Sequence, residues 1–266
     1  MFVNYNRERN ELAGAAIPVA AGQPATTFVK GPEESGKTEL LQWFRTAHGA
    51  ANQVCYIDVA DPAAATTPRA VMSTFITDLA DPTFDDYWIE DRKVTTSVAT
   101  IQNVSVEGNY NQLNALTGVA VEDQLANLIP LTRAFVLGVA AASAPSRPIV
   151  LCVDGYSSTE KLTRLWIRRQ LVRMMQPLPF ARLVITGREA PDRDLLIADQ
   201  SLHLIELGGI HDVGEWLLAA QALGCPLPPD PAQAVAGLTM VVEYADGKPG
   251  GIMSYLRRKA GAKDDR

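Results

Sequence analysis

Thr26-Thr27-Phe28-Val29-Lys30-Gly31-Pro32-Glu33-Glu34-Ser35-Gly36-Lys37-Thr38-Glu39-Leu40-Leu41-Gln42-Trp43-Phe44 decides the reading of this 266-residue chain. Its first five residues, mostly β-branched or aromatic, read as a strand. From Lys37 onward, the apolar positions Leu40, Leu41, Trp43 and Phe44 read as a helix. Between the two, Gly31 to Thr38 fits the pattern G-x-x-x-x-G-K-[ST]. The chemistry of each position explains the pattern. The glycines let backbone N–H groups curl around phosphate oxygens without a Cβ clash. The loop then delivers the phosphates to a helix N-terminus, where unpaired donors and the helix dipole favour anions. Lys37 is expected to neutralise the β- and γ-phosphates, and Thr38 to offer its hydroxyl to Mg²⁺. The cradle read in this way comprises Gly31, Pro32, Glu33, Glu34, Ser35, Gly36, Lys37 and Thr38, and runs on into Glu39. The side chains of Glu33 and Glu34 are expected to face solvent while their backbone binds.

Outward from the loop, strands and helices alternate. Val54-Cys55-Tyr56-Ile57-Asp58-Val59, Ile149-Val150-Leu151-Cys152-Val153, Arg182-Leu183-Val184-Ile185-Thr186 and the stretch 202–207 read as strands. Stretches 69–79, 121–142 and 161–175 read as helices between them. This alternation implies an α/β fold, a parallel sheet with helices on both faces in three layers. From about Gly208 the chain reads as helix only (212–223, 231–244 and 251–259), with Asp212 and Asp230 as N-caps. The expected organisation is a nucleotide-binding domain over 1–208 and a small helical lid over 209–266. Residues 81–120 break the pattern. Val98, Thr100, Gln102, Val104 and Val106 alternate loosely and an Asn-rich run follows, so this segment reads as an irregular insertion, a loop or hairpin on the surface.

A Mg²⁺ site needs a carboxylate at the end of a neighbouring strand. Asp154, the first polar residue after Ile149 to Val153, is preferred over its rival Asp58 because the chain between it and the loop leaves room for intervening strands. A water-activating acid is missing beside Asp154, since Gly155, Tyr156, Ser157 and Ser158 follow it, and Glu160 is the next carboxylate. Arg188 follows the strand that ends in Thr186. Ligands of open α/β sheets bind at the carboxyl ends of the strands, so Arg188 is placed to touch a γ-phosphate.

Composition bounds the rest. A net charge of −6 and a pI of about 5.2 argue against a bulk-basic nucleic-acid binder. Cys55, Cys152 and Cys225 are odd in number and far apart, so they read as buried small hydrophobes in a reducing cytoplasm. The charged N-terminus is unlike a signal peptide. Residues 125–144 are long and apolar enough to span a bilayer, but polar residues continue the same helix upstream, and a soluble core helix with no membrane partner is expected. Arg164, Arg168, Arg169 and Arg173 share one broad helical face, read as a solvated helix back, with an oligomer interface or a nucleic-acid patch as alternatives. His48, His203 and His211 lack ligand spacing.

The order of these motifs resembles the STAND class of AAA+-related ATPases, which includes the NACHT and NB-ARC modules. Phe2-Val3 with Arg7-Glu8-Arg9-Asn10-Glu11-Leu12 resembles the "FVGREREL" opening of that class. The loop from Gly31 to Thr38 resembles its Walker A, and Val150-Leu151-Cys152-Val153-Asp154-Gly155-Tyr156 its Walker B. Leu183-Val184-Ile185-Thr186-Gly187-Arg188 resembles its sensor strand, and Gly247-Lys248-Pro249 its GxP motif. The resemblance implies ATP or ADP with Mg²⁺ held by Thr38 and Asp154, catalytic roles for Lys37, Asp154 and Arg188, and Pro249 near the adenine. Ser157 and Ser158 stand where NACHT proteins often carry further acids, which implies slow hydrolysis and a nucleotide switch. The winged helix, repeat sensor and effector usual in that class are not in this sequence. The expected partners are therefore copies of the chain itself, or an effector or sensor in trans or in a missing C-terminal region. An AAA+ ATPase acting on nucleic acid and a P-loop kinase are the alternative readings.

Overall fold

Strands β1 (Thr26–Lys30), β2 (Gln53–Asp58), β3 (Ile149–Asp154), β4 (Ala181–Gly187) and β5 (Leu202–Glu206) form one sheet in the order β2-β3-β4-β1-β5. All four pairings are parallel, with Lys30 opposite Gly187 and Asp58 opposite Asp154. The computed structural model describes residues 5–17, 25–61, 67–102, 121–190 and 202–261, with backbone alone for 94–102. The helices are α1 (Asn6–Ala16), α2 (Lys37–His48), α3 (Pro68–Leu79), α4 (Asp85–Gln102) and α5 (Val121–Ala142). Helix α6 runs as Lys161–Trp166, then a π-helical stretch Ile167–Leu171, then Val172–Met175. The last three are α7 (Val213–Ala222), α8 (Pro231–Tyr244) and α9 (Pro249–Lys259).

The central strands are apolar on both faces because both are covered, as a parallel sheet requires. Successive side chains leave a strand on opposite sides. Phe28, Leu151, Val153, Leu183 and Ile185 face a core built with α3 to α6, where Phe75, Tyr87, Phe135 and Trp166 are fully buried. Val29, Val150, Cys152 and Val184 face the other core, built with α1, α2 and α7 to α9 around Leu40, Phe44, Trp216 and Leu256. The C-terminal helices thus share an apolar cluster with the sheet. Asp212 and Asp230 do cap their helices, accepting from Gly214 N–H at 2.8 Å and Ala232 N–H at 3.0 Å. All three cysteines are buried free thiols, and burial pushes Cys55 up to about 12. Val121–Ala142 remains long and apolar enough to cross a membrane, and half of its most apolar window is buried.

Residues 81–120 correct the sequence reading as far as they are described. Pro82–Phe84 form a short 3-10 turn, and α4 follows from Asp85 to Gln102 in place of a loop or hairpin. Asp81 caps the turn by accepting from Thr83 N–H at 3.0 Å. Asp85 and Asp86 supply negative charge to the first turn of the helix. Phe84, Tyr87 and Asp91 recur at helical spacing and are buried, so the helical period overrides the β-branched alternation further on. Residues 103–120 and the Phe2-Val3 opening lie outside the described residues.

Candidate functional site

The carboxyl ends of β1, β3 and β4 lie along one edge of the sheet, so the segments that follow them meet. After β1 the chain turns through Gly31 to Gly36. Gly36 has φ 84°, in the left-handed region that a side chain disfavours, and this lets α2 begin at Lys37. The Lys37 ammonium folds back on its own loop, donating to the Gly31 carbonyl at 2.8 Å, to Ser35 Oγ at 3.2 Å and to the Pro32 carbonyl. Burial lowers the pKa of Lys37 below the usual lysine value, opposed by the nearby Asp154 charge. The Tyr5 hydroxyl braces the loop from behind, 2.7 Å from the Ser35 carbonyl oxygen and 2.8 Å from that of Gly208.

Lys37, Thr38, Asp58, Asp154 and Arg188 line one cleft of about 170 Å³. Asp154 is buried and held from several sides. Its Oδ1 accepts from Gly155 N–H at 2.9 Å and from the Thr186 hydroxyl, and its Oδ2 accepts from the Tyr56 hydroxyl at 3.0 Å. Asp58, the rival in sequence, lines the same cleft beside it. Burial raises the pKa of Asp58, and the charges of Asp154 and Asp61 add to the rise. The cleft also holds Glu33, Glu34, Ser157 and Ser158, whereas Glu160 is exposed and is not among its lining residues.

Arg188 reaches the cleft from β4. Its backbone N–H donates to Ser157 Oγ at 2.8 Å, and its guanidinium lies 3.1 Å from Glu33 Oε1. Glu33 is therefore exposed but paired. Pro32 and Glu39 are exposed, whereas Gly31 and Ser35 are buried. Pro249 is buried at the first position of α9 and does not line the 170 Å³ cleft. Its neighbour Gly250 reaches the loop instead, donating its N–H to the Glu34 carbonyl at 3.0 Å. A Cβ on Gly250 would lie 2.7 Å from Glu34 Cβ, so only glycine permits this approach.

The donor set fits a nucleotide with Mg²⁺. Lys37 is already surrounded by loop oxygens at hydrogen-bonding distance, and Thr38, Asp154 and Asp58 offer hard oxygens in one cleft. Among the described residues no group of three or more His, Cys, Asp or Glu forms a metal cage. Mg²⁺ needs none, since it is commonly held by one or two carboxylates together with phosphate oxygens and water.

No family model matches the chain, and no curated protein matches it. Among solved structures it is similar to the Walker-type ATPase PABY2304 of Pyrococcus abyssi, with a TM-score of 0.53 and 13% identity over 98% of this chain and 69% of that one. The fold is that of the P-loop NTPases. Two further structures align more loosely. One is of Drosophila ORC bound to DNA (TM-score 0.45, 11% identity, 93% of this chain and 53% of that one). The other is of C. elegans PCH-2 (TM-score 0.44, 9% identity, 94% and 61%). In this P-loop fold, β4 lies between β1 and β3, so one strand separates the loop from Asp154. Sequence reasoning missed Tyr5, Tyr56 and Thr186, the residues that brace the loop and orient Asp154. Thr186 carried one signal, as the lone polar residue late in an apolar strand.

Proposed function

We propose that the chain binds Mg-ATP at the loop from Gly31 to Thr38 and works as a STAND-type nucleotide switch. Its closed state would control assembly with copies of itself or with an effector. The observation that carries this reading is the hydrogen bond from Gly250 to Glu34, which joins the helical end directly to the phosphate loop. A ligand that reshapes this loop acts on both parts at once, and differential contact is what shifts a conformational equilibrium.

In this reading the loop amides and Lys37 bind the phosphates. Thr38 and Asp154 hold Mg²⁺, with Asp58 adjoining. Tyr56 and Thr186 fix the Asp154 carboxylate. Mg²⁺, when bound, screens phosphate charge and acts as a Lewis acid. Arg188 is the residue that would distinguish a γ-phosphate, after leaving Glu33. Hydrolysis would be slow. The cleft residues that directly follow Asp154 are Gly155, Ser157 and Ser158, none of them an acid, and Ser157 Oγ accepts from the backbone N–H of Arg188. Three buried thiols suit a reducing cytoplasm.

The test is to identify the nucleotide carried by the purified chain and to measure its assembly mass with ATP and with ADP. A bound adenine nucleotide and an ATP-dependent change in mass support the switch. Nucleotide binding with one mass in both states leaves a plain ATP-binding domain.

A further inference from the structure

A second basin, of about 470 Å³, adjoins the phosphate-loop cleft. Lys161, Arg164 and Arg168 of α6 line it together with Arg188, and Glu189 is the one acid among its described lining residues. Four cations thus meet one carboxylate in a chain whose net charge is −6. Its apolar wall is Tyr156, Leu165 and Ala190. Ser157 and Arg188 line both cavities and form the partition between them.

Among the described residues, three of the four cations of this basin have no acid partner, and the fourth, Arg188, pairs with Glu33 of the phosphate loop. Arg169 on the same helix pairs with Glu122 at 2.7 Å, but no described carboxylate forms an ion pair with Lys161, Arg164 or Arg168. Arg164 donates to the Ser157 carbonyl at 3.3 Å, which aims its guanidinium at the partition. The Nε–H of Arg168 is buried with no acceptor among the described residues. Both guanidiniums lie close enough to Tyr156 for their charge to act on its hydroxyl. Gathering unpaired cations costs free energy through mutual repulsion, and an anion placed among them removes that cost.

We propose that this basin binds a small phosphate monoester, its phosphate held by Arg164, Arg168 and Lys161 and its organic body against Tyr156, Leu165 and Ala190. Guanidinium forks match phosphate oxygens with paired donors, and a dianion answers several cations better than a single carboxylate does. The volume falls within the range of small-ligand clefts, about 300–1,000 Å³. A nucleic-acid backbone calls for an extended basic stripe, whereas these cations converge on one concavity. The shared wall gives the ligand a route to the neighbouring cleft, because an anion here competes with Glu33 for Arg188. The inference goes beyond the nucleotide reading and stands without it.

The test is calorimetric titration of the full-length chain carrying Lys37→Ala, so that the phosphate loop is silenced. The probe is phenyl phosphate, with inorganic phosphate and a single-stranded oligonucleotide as comparison arms. Saturable phenyl phosphate binding is expected, weakened at least tenfold by Arg164→Gln with Arg168→Gln and severalfold by Lys161→Gln. Lys161 is exposed, so its replacement tests the site even if the double variant misfolds; far-UV dichroism reports on that. Absence of saturable binding, or affinity untouched by both variants, overturns the proposal. Equal affinity for inorganic phosphate assigns the site to the free ion and overturns the ester. Tighter binding of the oligonucleotide, lost in the same variants, overturns it in favour of nucleic acid.

Discussion

Gly250 donates its backbone N–H to the carbonyl of Glu34 at 3.0 Å, so the first turn of α9 rests on the tip of the phosphate loop. Glu34 itself adopts φ 61°, a backbone state uncommon for a non-glycine residue. A bound nucleotide that reorders the loop must either keep this bond or break it. Hydrogen exchange across residues 209–261 is therefore expected to differ between ATP, ADP and no ligand. Arg188→Ala should erase the difference between ATP and ADP while leaving overall binding largely intact. Identical protection in all three states would show that the helical end does not respond to nucleotide.

Lys37→Ala is expected to weaken ATP binding at least tenfold with the fold preserved. One cation faces several phosphate charges, and a hydrogen bond to a charged group is worth about 1.5–3 kcal/mol. Its present acceptors are loop carbonyls and a hydroxyl, which water can satisfy after truncation. Titration with ATP and Mg²⁺ measures the loss, and unchanged affinity in a folded variant would remove the phosphate-cradle assignment.

Turnover by the isolated chain is expected to fall well below the enzyme median of about 10 s⁻¹. The cleft presents Ser157 and Ser158 where an acid is needed, and Glu160 lies outside it. Steady-state phosphate release decides the point. Turnover above that median without a partner would mean that another group activates water, and Asp58 would be the first to replace.

Asp81→Ala is expected to lower stability by about 1 kcal/mol at neutral pH through loss of a cap. Asp81 accepts from Thr83 N–H at 3.0 Å and pairs with Arg147 at 2.9 Å, and the first of these interactions does most to lower its pKa. The sign follows from that direction. A carboxyl whose pKa is depressed by folding stabilises the native state above its unfolded pKa, and that stability is lost as pH falls through the folded value. The difference between wild type and variant in urea titrations should shrink steadily below the usual carboxylate range. A pH-independent gap would mean that the charge plays no part.

Thr132→Val is expected to cost about 1–3 kcal/mol, because it leaves a buried donor without an acceptor. Trp166 Nε1–H donates to Thr132 Oγ1 at 2.8 Å where α5 meets α6, and both residues are fully buried. Thr132→Ser keeps the oxygen and should recover part of the loss. Denaturant midpoints of the two variants provide the comparison, and a serine variant no more stable than the valine variant would show that the hydrogen bond from Trp166 does not set the cost.

The strand, loop and helix around Gly31 to Thr38 were legible in sequence because each depends on local rules. Apolar runs make buried strands, a glycine-punctuated turn makes a phosphate loop, and helical spacing follows it. Asp212 and Asp230 were legible as caps for the same reason, since a cap bonds an amide two residues away. Helix α4 was not, because the β-branched residues after Val94 alternate like a strand, while the buried residues that settle its period are Phe84, in the turn just before it, and Tyr87 and Asp91 in its first half. Tertiary structure alone decided the rest. Sheet order brings Asp58 level with Asp154, so two carboxylates that competed as alternatives in sequence share one cleft. Packing gathers Arg164 and Arg168 of α6 around one concavity with Arg188, which follows β4, and makes a basin of what reads along the chain as a solvated helix face. Local sequence fixes backbone conformation within a few residues, whereas the meeting of side chains dozens of residues apart depends on how the sheet is ordered and how its helices dock.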